Sequence, residues 1–224
     1  MKKYFLLVTG MALLQVLTAQ EVPVSKEPRH HPVFENNKIR VLNVLLPPGD
    51  TSLYHLHSTP SVFISLSTTK TAAQLKDGQP SPFGLSTRGN IWFENLAPPH
   101  TRIHRVWNED KTTFHVVDVE LFTDDRAFTS QPLTGPHSRL ITDTAWARVY
   151  RVDLEKGENF TVSGQSNSYV LVMLNESQAE VLKNKKKEPA GKHEGDPVWV
   201  NPHEMLTVNN PGQEKVSFAL LELK

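Results

Sequence analysis

The sequence predicts an all-β protein built from barrels or sandwiches of short strands. β-Branched and aromatic residues concentrate in short segments, and turn sequences such as Pro47–Asp50 and Asn209–Gly212 separate them. No apolar period of about 3.6 residues persists for the length of a helix. The predicted strands are Ile39–Leu46, Val62–Leu66, Thr113–Leu121, Arg148–Leu154, Tyr169–Leu174 and Lys215–Leu223.

An internal repeat divides the 224 residues into two halves. A shift of 108 positions superposes identical residues of the two halves, namely Arg40 on Arg148, Val44 on Val152, Leu46 on Leu154 and Gly49 on Gly157. Across loops of different length, the matches continue with Trp92 on Trp199 and Asn108 on Asn209. We therefore predict two tandem copies of one fold, over residues 20–130 and 131–224.

The N-terminal residues are typical of a secretory signal peptide. Lys2 and Lys3 precede an apolar stretch from Tyr4 to Leu17, and small residues follow at Thr18 and Ala19. We expect residues 1–19 to be removed on export to the periplasm or the extracellular space. An uncleaved membrane anchor is the alternative.

Composition excludes several classes of function. The 24 basic and 24 acidic residues balance, so no basic field favours a nucleic acid or an anionic membrane. The chain has no cysteine, which excludes disulfides, thiolate nucleophiles, iron–sulfur clusters and cysteine-ligated zinc. Ten histidines remain as candidate metal ligands.

Three histidines form the main candidate site. His55 and His57 are two apart, so both imidazoles project from one face of a strand. His104, in another strand region, is the candidate third donor. Three imidazoles leave coordination positions open on a metal ion. The alternatives are surface imidazoles on an edge strand, or hydrogen-bonding groups of a pocket.

The spacing around these histidines resembles that of the cupin superfamily. Gly49, followed after five residues by His55 and His57, matches the opening of the first cupin motif, and the second is matched by Pro99, His104 and Asn108. The resemblance implies a double-stranded β-helix, or jelly-roll barrel, in two tandem copies (a bicupin). It also implies that His55, His57 and His104 bind one divalent ion (Fe, Mn, Zn or Ni).

The departures from these motifs concern the metal ligands. Ser61 and Val62 stand where the first motif places a ligand glutamate. In the second copy, the repeat aligns Ser163 with His55, Gln165 with His57 and Met205 with His104. We therefore predict that only the first copy binds metal. A three-histidine site is similar to the iron centres of cupin-type thiol dioxygenases.

Further residues are candidates for supporting roles. Alternation in Phe114–Leu121 predicts that Asp118 and Glu120 face water and that His115 faces inward. The candidates for a partner behind a ligand, or for a substrate contact, are His115, Asn108 and Ser65. The remaining histidines, including the His30–His31 pair, are predicted to lie on the surface, and no catalytic residue is assigned.

The sequence thus predicts an exported cupin-type metal-binding protein. The leading hypothesis is a metal-dependent, dioxygenase-like enzyme acting on a small molecule. The alternative is a non-catalytic ligand-binding or structural cupin of the cell envelope. Neither a nucleic acid nor a membrane is an expected partner after signal cleavage, and a homodimer is left open.

Overall fold

A computed structural model describes residues 21–162, 166–191 and 193–224. The expected signal peptide, Ser163 and Gln165 lie outside the described residues. The first half contains β1 (Val22–Pro23), β2 (His30–Glu35), β3 (Ile39–Leu46), β4 (His55–His57), β5 (Ser61–Ser65), β6 (Thr69–Leu75), β7 (Gly84–Ser86), β8 (Ile91–Glu94), β9 (Arg102–Asn108) and β10 (Phe114–Leu121). The second half contains β11 (Ser138–Asp143), β12 (Ala147–Leu154), β13 (Asn159–Val162), β14 (Ser168–Met173), β15 (Glu180–Lys183), β16 (Lys186–Lys187), β17 (Pro197–Val200), β18 (Leu206–Asn209) and β19 (Val216–Leu223).

Each half is a barrel of two sheets. In the first, the sheets are ordered β1-β4-β9-β6-β7 and β2-β3-β10-β5-β8; in the second, β11-β12-β19-β14-β17 and β13-β18-β15-β16. The all-β, tandem-barrel prediction is confirmed, and the six predicted strands end within one residue of the observed ones. No helix in the described ranges is long and apolar enough to cross a membrane.

The two barrels share one apolar core. The β2-β3-β10-β5-β8 sheet of the first barrel packs against the β11-β12-β19-β14-β17 sheet of the second, and aromatic rings stack across the boundary, as Phe93 does on Trp146 at 5.7 Å. The shared core consists of Ile39, Val41, Val62, Ile64, Leu66, Ile91, Val117, Val119, Leu121, Ala147, Val149, Val170, Val172, Leu174, Ala219, Leu221 and Leu223.

This packing corrects the expected orientation of β10. Val117 and Val119 face the second barrel, whereas Asp118 and Glu120 face the interior of the first barrel and are 0% and 3% exposed. The alternation of side chains is as predicted, but both faces of the strand are buried. A period of two cannot show whether its polar face meets water or a cavity.

The structure also corrects the register of the repeat. Gly49, in a turn that needs its positive φ of 76°, donates its N–H to the carbonyl oxygen of Asn108. Gly157, with φ 81°, makes the same bond to Asn210. Asn210 is therefore the counterpart of Asn108, and the sequence alignment with Asn209 was one residue out. Trp199 similarly matches Phe93, because each pairs with an equivalent strand residue, Val170 or Val62.

In the corrected register, apolar residues replace two histidines of the first barrel, His55 and His104. Leu206, not Met205, is the counterpart of His104. Leu206 pairs with Val162, as His104 pairs with His55. Both Leu206 and Val162 are buried in the interior core of the second barrel. The interior of the second barrel is therefore packed with apolar side chains at these two positions, and Ser138, which pairs with Val152 as His30 pairs with Val44, takes the place of His30.

Candidate metal centre

Strands β4 and β9 bring the three predicted histidines together. His55 and His57 lie on the same face of β4 and are only 1% and 3% exposed. Antiparallel pairing with β9 places His104 directly opposite His55. The ring of His104 is centred 4.6 Å from that of His55 and 5.1 Å from that of His57.

A fourth imidazole, that of His30, joins this group. The sequence predicted a surface position for His30, which is wrong: its side chain lies inside the barrel and the residue is 6% exposed. The ring is centred 4.5 Å from the His55 ring. His30, His55 and His57 each offer a ligand atom within 4.8 Å of the other two, a group that could hold a metal ion.

Local hydrogen bonds fix the protons on two of these rings. Nδ1 of His55 lies 2.9 Å from the Leu53 carbonyl oxygen, which only accepts, so Nδ1 donates. Nδ1 of His30 donates to Oε2 of Glu27 at 2.6 Å. In both rings Nε2 is therefore the atom that remains for a metal ion, which binds to its lone pair.

Glu27 is held in place by backbone hydrogen bonds. It follows a single 3-10 turn, Val24–Lys26, is buried, and accepts the N–H of Arg29 at 2.7 Å and of Leu53 at 3.0 Å. Burial alone would raise the pKa of Glu27, but the hydrogen bonds from His30, Leu53 and Arg29 outweigh it and lower the pKa. Glu27 is therefore an ionised carboxylate that fixes the orientation of the His30 ring.

The histidines at the centre are neutral in the physiological range. Burial, followed by the charge of neighbouring histidines, lowers the pKa of His55 to about 4 and that of His104 to about 3. The same causes place the pKa of His57 lower still. A metal ion would therefore not compete with protons for these nitrogen atoms near neutral pH.

Asp118 lies behind His57 and was not found from the sequence. Its Oδ2 is 3.5 Å from Nδ1 of His57, and among the described residues none of these buried atoms has a hydrogen-bond partner of ordinary geometry. Burial and the nearby charge of Glu120 raise the pKa of the Asp118 carboxyl well above its usual value. The signal that could have found it is an aspartate between valines in an otherwise apolar strand.

The four imidazoles line a cavity of about 370 Å³ in the first barrel. Most of the remaining wall is apolar, and the Phe63 and Trp92 rings stack on one side with centroids 5.3 Å apart. Glu94 and Arg102, also in the wall, form an ion pair of 2.5 Å. The cavity has the size and the apolar character of a site for a small organic molecule.

The three residues predicted as supporting partners lie outside this cavity wall. Asn108 fixes a turn by donating from Nδ2 to the carbonyl oxygens of Leu46 and Thr112. The Ser65 hydroxyl lies 2.6 Å from that of Ser86. His115 faces the second barrel, where its Nδ1 is 3.7 Å from a carboxylate oxygen of Glu194. The structure therefore places none of them against the imidazole cluster.

The position of His115 leads to a prediction of pH-dependent stability. Burial and the charge of Arg88 lower the pKa of His115 from 6.5 to about 4. The unfolded chain then binds a proton before the folded chain does, so this contribution is present above pH 6.5 and is lost as the pH falls towards 4. From pH 7 to pH 4, we expect wild type to lose up to about 3 kcal/mol more than His115→Gln. Urea unfolding of both proteins at each pH measures the difference, and equal losses would contradict it.

Comparison with known proteins identifies the class of fold. No family model and no curated protein sequence matches the chain, but solved structures show that it has the cupin fold in its two-barrel form. The chain is similar to salicylate 1,2-dioxygenase from Pseudaminobacter salicylatoxidans, with a TM-score of 0.62, 11% identity, and coverage of 89% of this chain and 77% of that one.

Two further solved structures have the same fold. AerE from Microcystis aeruginosa is 11% identical with a TM-score of 0.59, over 88% of this chain and 98% of that one. A cupin 2 conserved barrel domain protein from Leptotrichia buccalis is 8% identical with a TM-score of 0.54, over 87% and 88% of the two chains. These similarities establish the fold, and the first barrel's own residues carry the argument on function.

Proposed function

We propose that the protein is a metal-dependent enzyme that acts on a small, largely apolar molecule in the first barrel. One observation carries the proposal: the ligand atoms of His30, His55 and His57 converge within 4.8 Å beside an apolar cavity. His55, His57 and His104 are the ligands that the cupin motifs imply. His30 takes the place of the glutamate that those motifs would supply.

The donor set fits a divalent transition metal. Imidazole nitrogen suits Fe, Mn, Zn and Ni, and no thiolate is present to favour softer ions. Three of the four histidines, His30, His55 and His57, are buried, and the rings of two of them are already oriented by Leu53 and Glu27. Because orientation precedes binding, little conformational entropy would be lost when the ion enters.

A bound metal ion would supply Lewis-acid or one-electron redox chemistry to the cavity. The chain supplies the rest: Phe63 and Trp92 offer a stacked aromatic surface for a planar substrate. Arg102 lies in the wall, where its ion pair with Glu94 offers a polar edge to a substituent. Salicylate 1,2-dioxygenase, one of the structural neighbours, has been solved with gentisate bound. A small aromatic acid is therefore the first substrate class to test.

Oxygen consumption tests the enzymatic proposal. The purified chain is loaded anaerobically with Fe(II) or Mn(II), and oxygen uptake is followed with gentisate, salicylate, small thiols, enols and flavonoids. We expect uptake with at least one of these classes in wild type and none above background in His57→Ala. Uptake that is equal in the two proteins would arise from free metal and would contradict the proposal, as would no uptake with any class.

A ligand-binding module without catalysis is the second candidate. It is favoured by the Glu94–Arg102 ion pair, because this pairing leaves no free carboxylate or basic group among the described cavity residues other than the histidines. Calorimetric binding of the same compounds without oxygen uptake would support this candidate.

Export is a separate part of the proposal. Residues 1–19 would direct the chain out of the cytoplasm and be removed. N-terminal sequencing of protein recovered from the periplasm or medium tests this, with a mature end near Ala19 or Gln20 expected.

A further inference from the structure

We propose that Asp118 is a positioning residue of the metal centre, which holds the His57 ring from behind and balances part of the charge of a bound divalent cation. The inference rests on the proposed function, because it requires that the imidazole cluster binds metal. It extends that function by assigning a role to a residue that touches neither the cavity nor the metal.

The surroundings of Asp118 differ from those of the other carboxylate on the same face. Glu120 is two residues further along β10, and its oxygens accept from Arg40 and Thr59 at 2.8 and 2.9 Å. Neither oxygen of Asp118 has a hydrogen-bond partner of this geometry, and Oδ2 lies 3.5 Å from Nδ1 of His57. The hydroxyl of Ser61 lies beside Asp118 and partly offsets the rise in its pKa, but its hydrogen bond of ordinary geometry goes to the Thr59 carbonyl oxygen at 3.4 Å.

The second barrel provides an internal control. The Arg40–Glu120 pair recurs there as Arg148–Glu222, between strands in the same register. Asp118 does not recur: its position is taken by Leu220, which is fully buried in the interior core.

Asp118 therefore occurs in the barrel that has His55 and His104 and is missing from the barrel that lacks them. Where His55 and His104 give way to Val162 and Leu206, the aspartate gives way to leucine as well. A carboxylate needed by the barrel framework would be expected in both copies, as the Arg–Glu pair is.

The free-energy cost of burying the Asp118 carboxyl group also favours a role in metal binding. A buried carboxyl group without a partner costs folding free energy, and an apolar residue of similar volume removes that cost. A cation on the far side of the His57 ring offsets the cost. With the cation bound, the carboxylate, whose Oδ2 lies 3.5 Å from Nδ1 of His57, would attract the Nδ1 proton, orient the ring and make Nε2 a stronger donor.

Two substitutions and one matched control test this role. Asp118→Asn keeps the shape and removes the charge, whereas Asp118→Leu reproduces the second barrel. Glu120→Gln alters the neighbouring carboxylate, which contacts no histidine of the cluster. For each protein, Zn(II) affinity is measured by competition with a chelator, the Co(II) complex by its visible spectrum, and metal-free stability by urea unfolding.

Metal affinity and metal-free stability are expected to change in opposite directions. Both Asp118 variants should bind Zn(II) roughly 10 to 100-fold more weakly and shift the Co(II) spectrum. Metal-free Asp118→Leu should nevertheless unfold at a higher urea concentration than metal-free wild type. Glu120→Gln removes a charge that raises the pKa of Asp118, so it should bind Zn(II) at least as tightly as wild type and unfold at a lower urea concentration.

Other outcomes separate this inference from the proposed function. Wild-type Zn(II) affinity in both Asp118 variants, or a metal-free Asp118→Leu that is less stable than wild type, would overturn the role of Asp118 and leave the metal centre standing. A wild type that binds neither Zn(II) nor Co(II) would overturn the metal centre itself, and the role of Asp118 with it.

Discussion

His30→Ala and His57→Ala should each weaken metal binding by about 100-fold or more. Loss of a partner behind a ligand costs roughly 10 to 100-fold, and removal of a ligand should cost at least the upper figure. His57 is implied by the cupin motifs and lies within the three-histidine group, whereas His30 is supported only by its position in the structure. Metal content by mass spectrometry and affinity by chelator competition measure both effects.

The neighbouring residue provides the control for His30. His31 is adjacent on β2 but exposed, because successive side chains of a strand point to opposite faces. His31→Ala should therefore bind metal as wild type does. Unchanged affinity in His30→Ala, together with a large loss in His104→Ala, would contradict a ligand role for His30. It would leave the site with the three histidines that the motifs imply. Circular dichroism confirms that each variant remains folded.

Leu221→Ala, in the second barrel, should destabilise both barrels by about 2 to 5 kcal/mol. Leu221 is fully buried in the shared core, where it packs with residues of the first barrel such as Val119 and Val62. Truncation removes buried apolar surface and leaves a cavity that neighbouring strands can only partly fill. Because one core serves both barrels, we expect them to unfold in a single transition that shifts as a whole.

Two probes distinguish a shared transition from two separate ones. Trp146 and Trp199 pack against the shared core and report on its opening by fluorescence, while metal release reports on the first barrel. The two midpoints should coincide in wild type and move together in Leu221→Ala. Leu75→Ala, at a position that is 55% exposed, should change stability by less than about 0.5 kcal/mol. A shift in fluorescence without a shift in metal release would contradict the shared core.

Most of the fold could be predicted from the sequence. Turn residues and short runs of β-branched residues define strands such as β3 and β12 locally, and the 108-residue repeat links them. The alignment of equivalent residues of the two halves across loops of different length was harder to predict. Asn209 and Asn210 are identical neighbours, so the hydrogen bonds of Asn210 with Gly157, Leu154 and Glu214 are needed to identify it as the counterpart of Asn108.

The candidate site was only partly predictable. His55 and His57 share one strand and a motif, so their common direction follows from the period of a strand. The distance in sequence between His30 and these two histidines matches no ligand spacing. His30 reaches the cavity because β2 pairs with β3, which places His30 opposite Val44. Asp118 was assigned to water because a polar residue alternating with apolar ones normally faces solvent. Contacts distant in sequence decided both cases.

The double burial of β10 constrains how this protein can diverge in sequence. Inward positions of the strand, such as Asp118 and Glu120, adjoin the imidazoles or a buried ion pair, and outward positions, such as Val117 and Val119, fill the boundary with the second barrel. Surface strands normally accept substitutions on one side, which lets sequences drift without loss of fold. β10 has no such side over Val116–Leu121. Among relatives that retain the metal centre, we expect this strand to change least.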